Sequence, residues 1–371
     1  MGNWKNGELG DFVTLKRGFD LPQQKREDGQ VPIFSSSGIT GTHSTAMVKA
    51  PGVITGRYGT IGEVFYAAKD FWPLNTTLFV EDFHGNDAKF IYYFLKTLEW
   101  SKFTSASAVP GINRNTVHKE IVSLPDIETQ RRIASTLSMF DEKIKINTEI
   151  NDNLEQQAHS YFQELFVDNA SPEWTTGTIS DLGTVVGGST PSKAKPEYYT
   201  ESGIAWITPK DLSINKSKFI SHGENDITEL GLKNSSAAIM PEGTVLFSSR
   251  APIGYIAIAA GEVTTNQGFK SVVPKPEIGT PFVYFFLKNT LPVIEGMASG
   301  STFKEVSGST MKNVPAVIPD AETLAKFSDF CAPIFAQQRI LEEQNQSLAT
   351  LRDNLLPKLM SGEIDVSAVQ L

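Results

Sequence analysis

From Pro125 to Asp168 the apolar positions keep a helical beat. Ile133, Leu137, Phe140, Ile144, Leu154, Ala158, Tyr161 and Leu165 follow alternating steps of four and three, with polar Asn147 and Asn151 on the same line. That period is the heptad seam of a helix packed along another helix. No Gly or Pro falls between Gln130 and Phe166, so nothing local breaks it. A lone seam of this kind is unstable and needs a partner. Pro319-Asp320-Ala321-Glu322-Thr323 repeats Pro125-Asp126-Ile127-Glu128-Thr129 at an offset of 194 residues. Phe327, Cys331, Ile334, Leu341, Asn345, Leu348, Leu355 and Leu359 then follow the same spacing. The pattern predicts that 126–168 and 320–360 pack as an antiparallel pair, with a seam Asn fixing register at some cost in stability. Pro333 predicts that the second helix ends early or kinks.

Between the helices the pattern changes. Short β-branched and aromatic runs punctuated by Gly and Pro dominate 12–82 and 182–274, which is strand patterning. These segments also repeat. Trp4, Gly7, Leu9 and Asp11 recur as Trp174, Gly177, Ile179 and Asp181. Val53-Ile54-Thr55-Gly56-Arg57 with Ile61-Gly62 recurs as Val245-Leu246-Phe247-Ser248-Ser249-Arg250 with Ile253-Gly254. Phe90 to Lys96 recurs as Phe282 to Lys288, and Asn115-Thr116 as Ser309-Thr310. The plan is module, long helix, module, long helix, with boundaries at 1–125, 126–168, 169–319 and 320–371. The expected fold class is α+β: two similar mostly-β modules with a few short helices, the clearest near 87–98 and 279–290. Two long antiparallel coiled-coil helices separate them, giving an internal pseudo-twofold repeat. About 35 helical residues give a rod of roughly 50 Å, between one and one and a half turns of duplex DNA at roughly 34–36 Å each. A two-headed ruler of that size suits a bipartite target.

Composition narrows the class. With 371 residues, 40% hydrophobic and 20% charged, the chain is an ordinary globular protein with room for two or three cores. Met1 to Gly10 lacks the apolar core of a signal peptide, and no run approaches 18 apolar residues. The single Cys331 allows neither an internal disulfide nor a Cys-based zinc site, and a cytoplasmic home is expected. Residues 126–168 hold 9 acidic and 4 basic side chains and 320–371 hold 8 and 4. The two helical stretches therefore carry the entire net charge of −9, and the remainder is balanced at 25 of each sign. The overall acidity neither excludes nor favours a polyanion partner for the modules.

These strings in this order, twice over, resemble the specificity subunit of type I restriction-modification systems. The resemblance covers the whole chain. It rests on the Trp-x-x-Gly-x-Leu/Ile-x-Asp module starts, Gly243 to Arg250 with Ile253-Gly254, and Asn266-Gln267-Gly268-Phe269. It rests also on the Pro-Asp-x-Glu-Thr helix starts and the ending Leu355 to Ile364. The first module departs from the pattern, with Leu74-Asn75-Thr76-Thr77-Leu78-Phe79 in place of Asn266-Gln267-Gly268-Phe269. The resemblance implies two target recognition domains, each reading half of a split site in double-stranded DNA. It implies that the helices are spacer and docking surface for two DNA adenine methyltransferase subunits, joined by restriction (motor-nuclease) subunits. Which bases are read does not carry over.

The residues themselves favour recognition over catalysis. No Asn-Pro-Pro-aromatic or Asp-Pro-Pro-aromatic run is present to hold an amino group for methylation, and no Gly-x-x-x-x-Gly-Lys-Ser/Thr loop to cradle ATP phosphates. Pro125-Asp126 and Pro319-Asp320 lack the Glu-x-Lys of a nuclease and sit at helix starts, where Asp is favoured as a cap. The five His (43, 84, 118, 159, 222) show no metal-ligand or triad spacing, and neither metal nor cofactor is expected. Gly187 to Ser192 could hold a phosphate through its amides, with an ordinary loop the stronger alternative. Candidate DNA contacts are Lys16, Arg17, Arg57, Tyr58, Asn113 and Arg114 in the first module. In the second they are Lys193, Lys210, Arg250, Gln267, Lys270 and Lys304. Arg can pair with guanine edges and Gln with adenine, while Lys mostly meets phosphate. Two other classes stay open: an enzyme with an unrecognised site, and a protein adaptor with two binding modules on a coiled-coil rod.

Overall fold

The structure, a computed structural model, describes residues 4–104, 110–300 and 304–366. The chain divides into two compact units, Met1–Ile144 with Gln346–Leu371, and Lys145–Asn345.

Each unit opens with the same device. Strand Lys5–Glu8 pairs antiparallel with Ile121–Leu124, and Thr175–Thr178 pairs antiparallel with Pro315–Ile318. A single helical turn follows, Leu9–Phe12 in one unit and Ile179–Leu182 in the other. The Asp of the sequence motif closes that turn. Asp11 Oδ2 accepts the Glu8 N–H at 3.0 Å, and Asp181 Oδ2 accepts that of Thr178 at 2.8 Å. Leu9 and Ile179 are buried beneath it. The Gly is required because a Cβ at Gly177 would lie 2.6 Å from Asp181 Oδ2. The motif is therefore a cap, an apolar anchor and the space to fold them together.

The sheets share one topology. In the first unit the strands run Thr14–Arg17, Thr77–Asp82, Gly52–Gly56, Val64–Ala67 across one sheet. In the second they run Gly183–Gly187, Lys270–Pro274, Val245–Ser249, Ile253–Ala259, with an added parallel edge strand Phe219–Ile220. Gly52–Gly56 and Val245–Ser249 are buried throughout, as expected of central strands. A smaller sheet accompanies each, three-stranded in the first unit and four-stranded in the second. The expected short helices are Ala88–Thr97 and Thr280–Met297; the second runs about two turns further than its sequence pattern suggests.

The two long helices are Ile127–Gln163 and Ala321–Met360. Their shared start is a cap: Asp126 Oδ1 accepts the Thr129 N–H at 2.9 Å and Asp320 Oδ1 that of Thr323 at 2.8 Å. Asp320 also accepts from the Trp174 indole at 2.8 Å, and these bonds, the Thr323 amide foremost, hold its carboxyl down at about 2. In the second unit Asn147 Nδ2 donates to Asn345 Oδ1 at 2.9 Å, Gln338 Nε2 donates to the Asn151 carbonyl at 3.2 Å, and Phe162 meets Phe327 at 5.8 Å between rings. Partners descend on one helix as they rise on the other, so the pair is antiparallel. In the first unit Arg352 donates to Asp141 at 2.6 Å, and Ile133 and Leu137 share one apolar cluster with Leu356 and Leu359.

Two expectations at the helices change. Of the two outcomes expected at Pro333, an early end does not occur: one helix runs through Pro333 and Pro357. Both prolines are exposed, and so is Asp329, whose carbonyl Pro333 leaves without its helical donor. The first long helix remains α-helical only to Gln163 and widens to a π-turn over Glu164–Asp168.

Seam residues Ile133, Leu137, Phe327, Ile334, Leu341 and Leu359 are buried, and Phe140, Ile144, Asn151, Leu154, Tyr161, Leu165, Asn345, Leu348 and Leu355 are half-buried. Asn147 is fully buried. Phe162, off the expected line, is also buried and packs on Phe282 and Phe285 as well as Phe327.

Candidate nucleic-acid interface

In the first unit, the central strand Gly52–Gly56 delivers Arg57 and Tyr58 to its end. The backbone there is clamped from two sides: Arg57 N–H donates to Thr76 O at 2.8 Å, and Ile112 N–H donates to Arg57 O at 3.1 Å. Asn113 caps the short helix Arg114–His118 by accepting the Asn115 N–H at 3.0 Å, which sets Arg114 on its first turn. Strand Thr14–Arg17 brings Arg17 to the same place. Together Arg17, Arg57, Tyr58, Asn113, Arg114 and Asn115 line an open cleft of about 480 Å³ with Gly111, Ile112 and Leu78, and none of these residues is acidic. Gly111 is obligatory in this packing, because a Cβ would lie 2.2 Å from Tyr58 Cε1.

The second unit repeats the construction. Strand Val245–Ser249 leads to Arg250, and Val306 N–H donates to Ser249 O at 2.9 Å, as Ile112 does to Arg57. The helix Gly308–Lys312 follows, as Arg114–His118 does. A cleft of about 490 Å³ is lined by Lys193, Lys210, Arg250 and Gln267, together with Thr190, Trp206, Glu224, Asn225 and Asn266. Its charge is more compensated. Lys210 Nζ lies 2.6 Å from Glu224 Oε2, which raises the lysine above its ordinary value. Arg250 lies 3.6 Å and Lys270 3.9 Å from Glu305. Burial lowers Lys270, against the pull of that carboxylate.

Five of the six candidates in the first module thus gather in one cleft, and four of six in the second. Lys16 pairs with Glu81 on its sheet. Lys270 is half-buried, with its amine on the Gln267 and Phe269 carbonyls, and Lys304 is exposed. Sequence reasoning missed Asn115, Thr190, Trp206, Asn225 and Asn266. The loop Gly187 to Ser192 signalled Thr190, whose hydroxyl donates to Gln267, and Asn266 lies in the motif already singled out. Nothing in the local sequence marks Trp206. Among the described residues no three His, Cys, Asp or Glu gather as a metal site, and no helix is long and apolar enough to cross a membrane.

Comparison with known proteins adds a family. A family model described as the type I restriction modification DNA specificity domain matches residues 1–156 and again 172–351. The MjaIX type I restriction enzyme specificity subunit of Methanocaldococcus jannaschii is 40% identical over 191 residues, 49% of this chain and 44% of that protein. The HindI specificity subunit of Haemophilus influenzae is 24% identical over 347 residues, covering 72% of this chain and 75% of that one. The chain thus aligns with less than half the length of the M. jannaschii relative. A crystal structure of a type I restriction-modification S subunit from M. genitalium superposes with a TM-score of 0.64 at 19% identity over 96% of each chain, a likeness of fold.

Proposed function

The chain belongs to the type I restriction-modification DNA specificity family, and from that premise we propose that it selects the DNA on which a type I restriction-modification complex acts. Each module reads one half of a bipartite duplex site. The long helices serve as spacer and as docking surface for two DNA methyltransferase subunits, and restriction subunits join that core in the cytoplasm. In this reading the chain supplies recognition, and methyl transfer and cleavage belong to its partners.

The observation that carries the reading is the recurrence of one cleft at the same strand end in both units, lined each time by cations and amides. Such a lining suits DNA. Lys and Arg neutralise phosphates, while Arg, Asn and Gln also match the donors and acceptors of base edges. The test is to express the chain with its companion methyltransferase subunits and map methylated sites across a genome. A split motif is expected. Exchanging residues 172–318 for the equivalent module of a relative should change one half of it and leave the other. A change in both halves, or in neither, overturns the two-module reading.

A further inference from the structure

Resting on the DNA-reading function above, we propose that Arg57 is the guanine-reading side chain of the first module. Its backbone is held on both sides by the Thr76 and Ile112 hydrogen bonds. Its Nε donates to the Ile112 carbonyl at 3.3 Å, and its guanidinium carbon lies 4.5 Å from the centre of the Tyr58 ring. These two contacts fix the plane of the guanidinium and use one nitrogen. Both terminal nitrogens are without partners among the described residues and lie on a cleft with no acidic lining residue. Two parallel N–H donors on a fixed plane match the O6 and N7 acceptors of guanine in the major groove. Adenine presents a donor at the first of those places and would oppose the fork.

The other cations lack this combination. Arg17 is exposed and pairs with Asp20 at 3.3 Å, and Arg114 is exposed on the first turn of its short helix. Arg250, at the corresponding strand end of the second module, faces Glu305 at 3.6 Å. A held, stacked and uncompensated guanidinium is a feature of the first cleft.

The experiment uses the assembled methyltransferase in two measurements. First, methylation is mapped for the wild type, Arg57→Ala and Arg57→Lys. Arg57→Ala should relax a single position in one half-site, a G·C pair in the wild-type motif, with discrimination there falling roughly 5- to 150-fold. Arg57→Lys keeps the charge but not the fork and should relax the same position. Second, wild-type binding is measured on duplexes carrying 7-deazaguanine at each G of that half-site in turn. One position should lose affinity several-fold in the wild type and lose nothing further in Arg57→Ala. The inference is overturned if the relaxed pair is A·T, or if Arg57→Ala weakens all sites alike with discrimination intact, as a phosphate contact would. It is overturned equally if no 7-deazaguanine position affects the wild type. A wild-type motif that is not split would instead sink the two-module reading, so the two failures are distinct.

Discussion

Replacing Lys218 by Met tests whether a buried charge cluster holds the second unit together. The Lys218 side chain is 6% exposed. Its amine donates to Glu155 Oε2 at 2.8 Å and Gln338 Oε1 at 2.9 Å and lies 3.4 Å from the centre of the Phe335 ring. Its own N–H and that of Phe219 donate to the Glu342 carboxylate at 2.8 and 3.0 Å, tying the added edge strand Phe219–Ile220 to the second long helix. Burial lowers the amine to about 8 against the pull of Glu155, so it remains a cation at neutral pH. Removing one partner of a buried ion pair costs about 3–5 kcal/mol, because the other charge is stranded. Here Glu155 keeps Lys288 at 2.5 Å and is 23% exposed, and Met retains the packing on Phe335. A loss of about 2–3 kcal/mol is therefore expected. For a unit of this size each kcal/mol lowers Tm by about 2–4 °C, so calorimetry at pH 7 should show a drop of roughly 4–12 °C. The double variant Lys218→Met, Glu155→Leu should recover part of that loss, since no carboxylate is then stranded. A drop below about 1 °C in the single variant, or a double variant worse than additive, would refute this account of the cluster.

The remaining expectations concern the same unit and the first cleft. Burial pushes Glu155 up, but Lys218 and Lys288 outweigh it and hold the carboxyl at about 2, below its ordinary 4.5. Its stabilising contribution is therefore present above pH 4.5 and lost as pH falls toward 2; Glu155→Gln should flatten the wild-type loss of Tm across that window. Cys331 is fully buried, and burial lifts its thiol to about 12, so a thiol reagent at pH 8 should label the native protein orders of magnitude more slowly than the unfolded chain. Labelling within seconds under native conditions would mean that the second unit opens freely. Gly111→Ala must displace the Tyr58 ring and so unseat Arg57; methylation mapping should show the same relaxed position as Arg57→Ala, with Tm lower by a few degrees.

The helices were legible because a seam is a period, and a period survives without knowledge of the partner. The caps were legible for a local reason: Asp126 and Asp320 bond to amides three residues ahead. Phe162 was missed because the seam rule assumes one neighbour, whereas this end of the helix packs on the Thr280–Met297 helix as well, through Phe282 and Phe285. Pro333 does not end its helix, because the one bond it removes falls at exposed Asp329 while the rest of the helix stays packed. The Lys218 cluster left no trace in sequence. Its members are far apart in the chain, and Lys218 introduces an edge strand with no counterpart among the described residues of the first unit.

The clefts show how a repeat can keep a frame while its chemistry diverges. Alternation along a strand explains why Arg17 lines the first cleft while Lys16 does not: neighbours face opposite sides of a sheet, and Lys16 meets Glu81 instead. Position within the repeat, the end of the central strand beside a capped helix, is set by backbone hydrogen bonds that both units retain. Charge compensation is not set by that frame. In the second unit Glu224 and Glu305 stand against Lys210 and Arg250, whereas among the described residues no acidic side chain lines the first cleft. In the proposed DNA-reading function, paired cations exchange a carboxylate for a phosphate, which lowers their net gain and shifts weight to Asn225, Asn266 and Gln267. Two similar modules thus present different donor and acceptor patterns from the same scaffold.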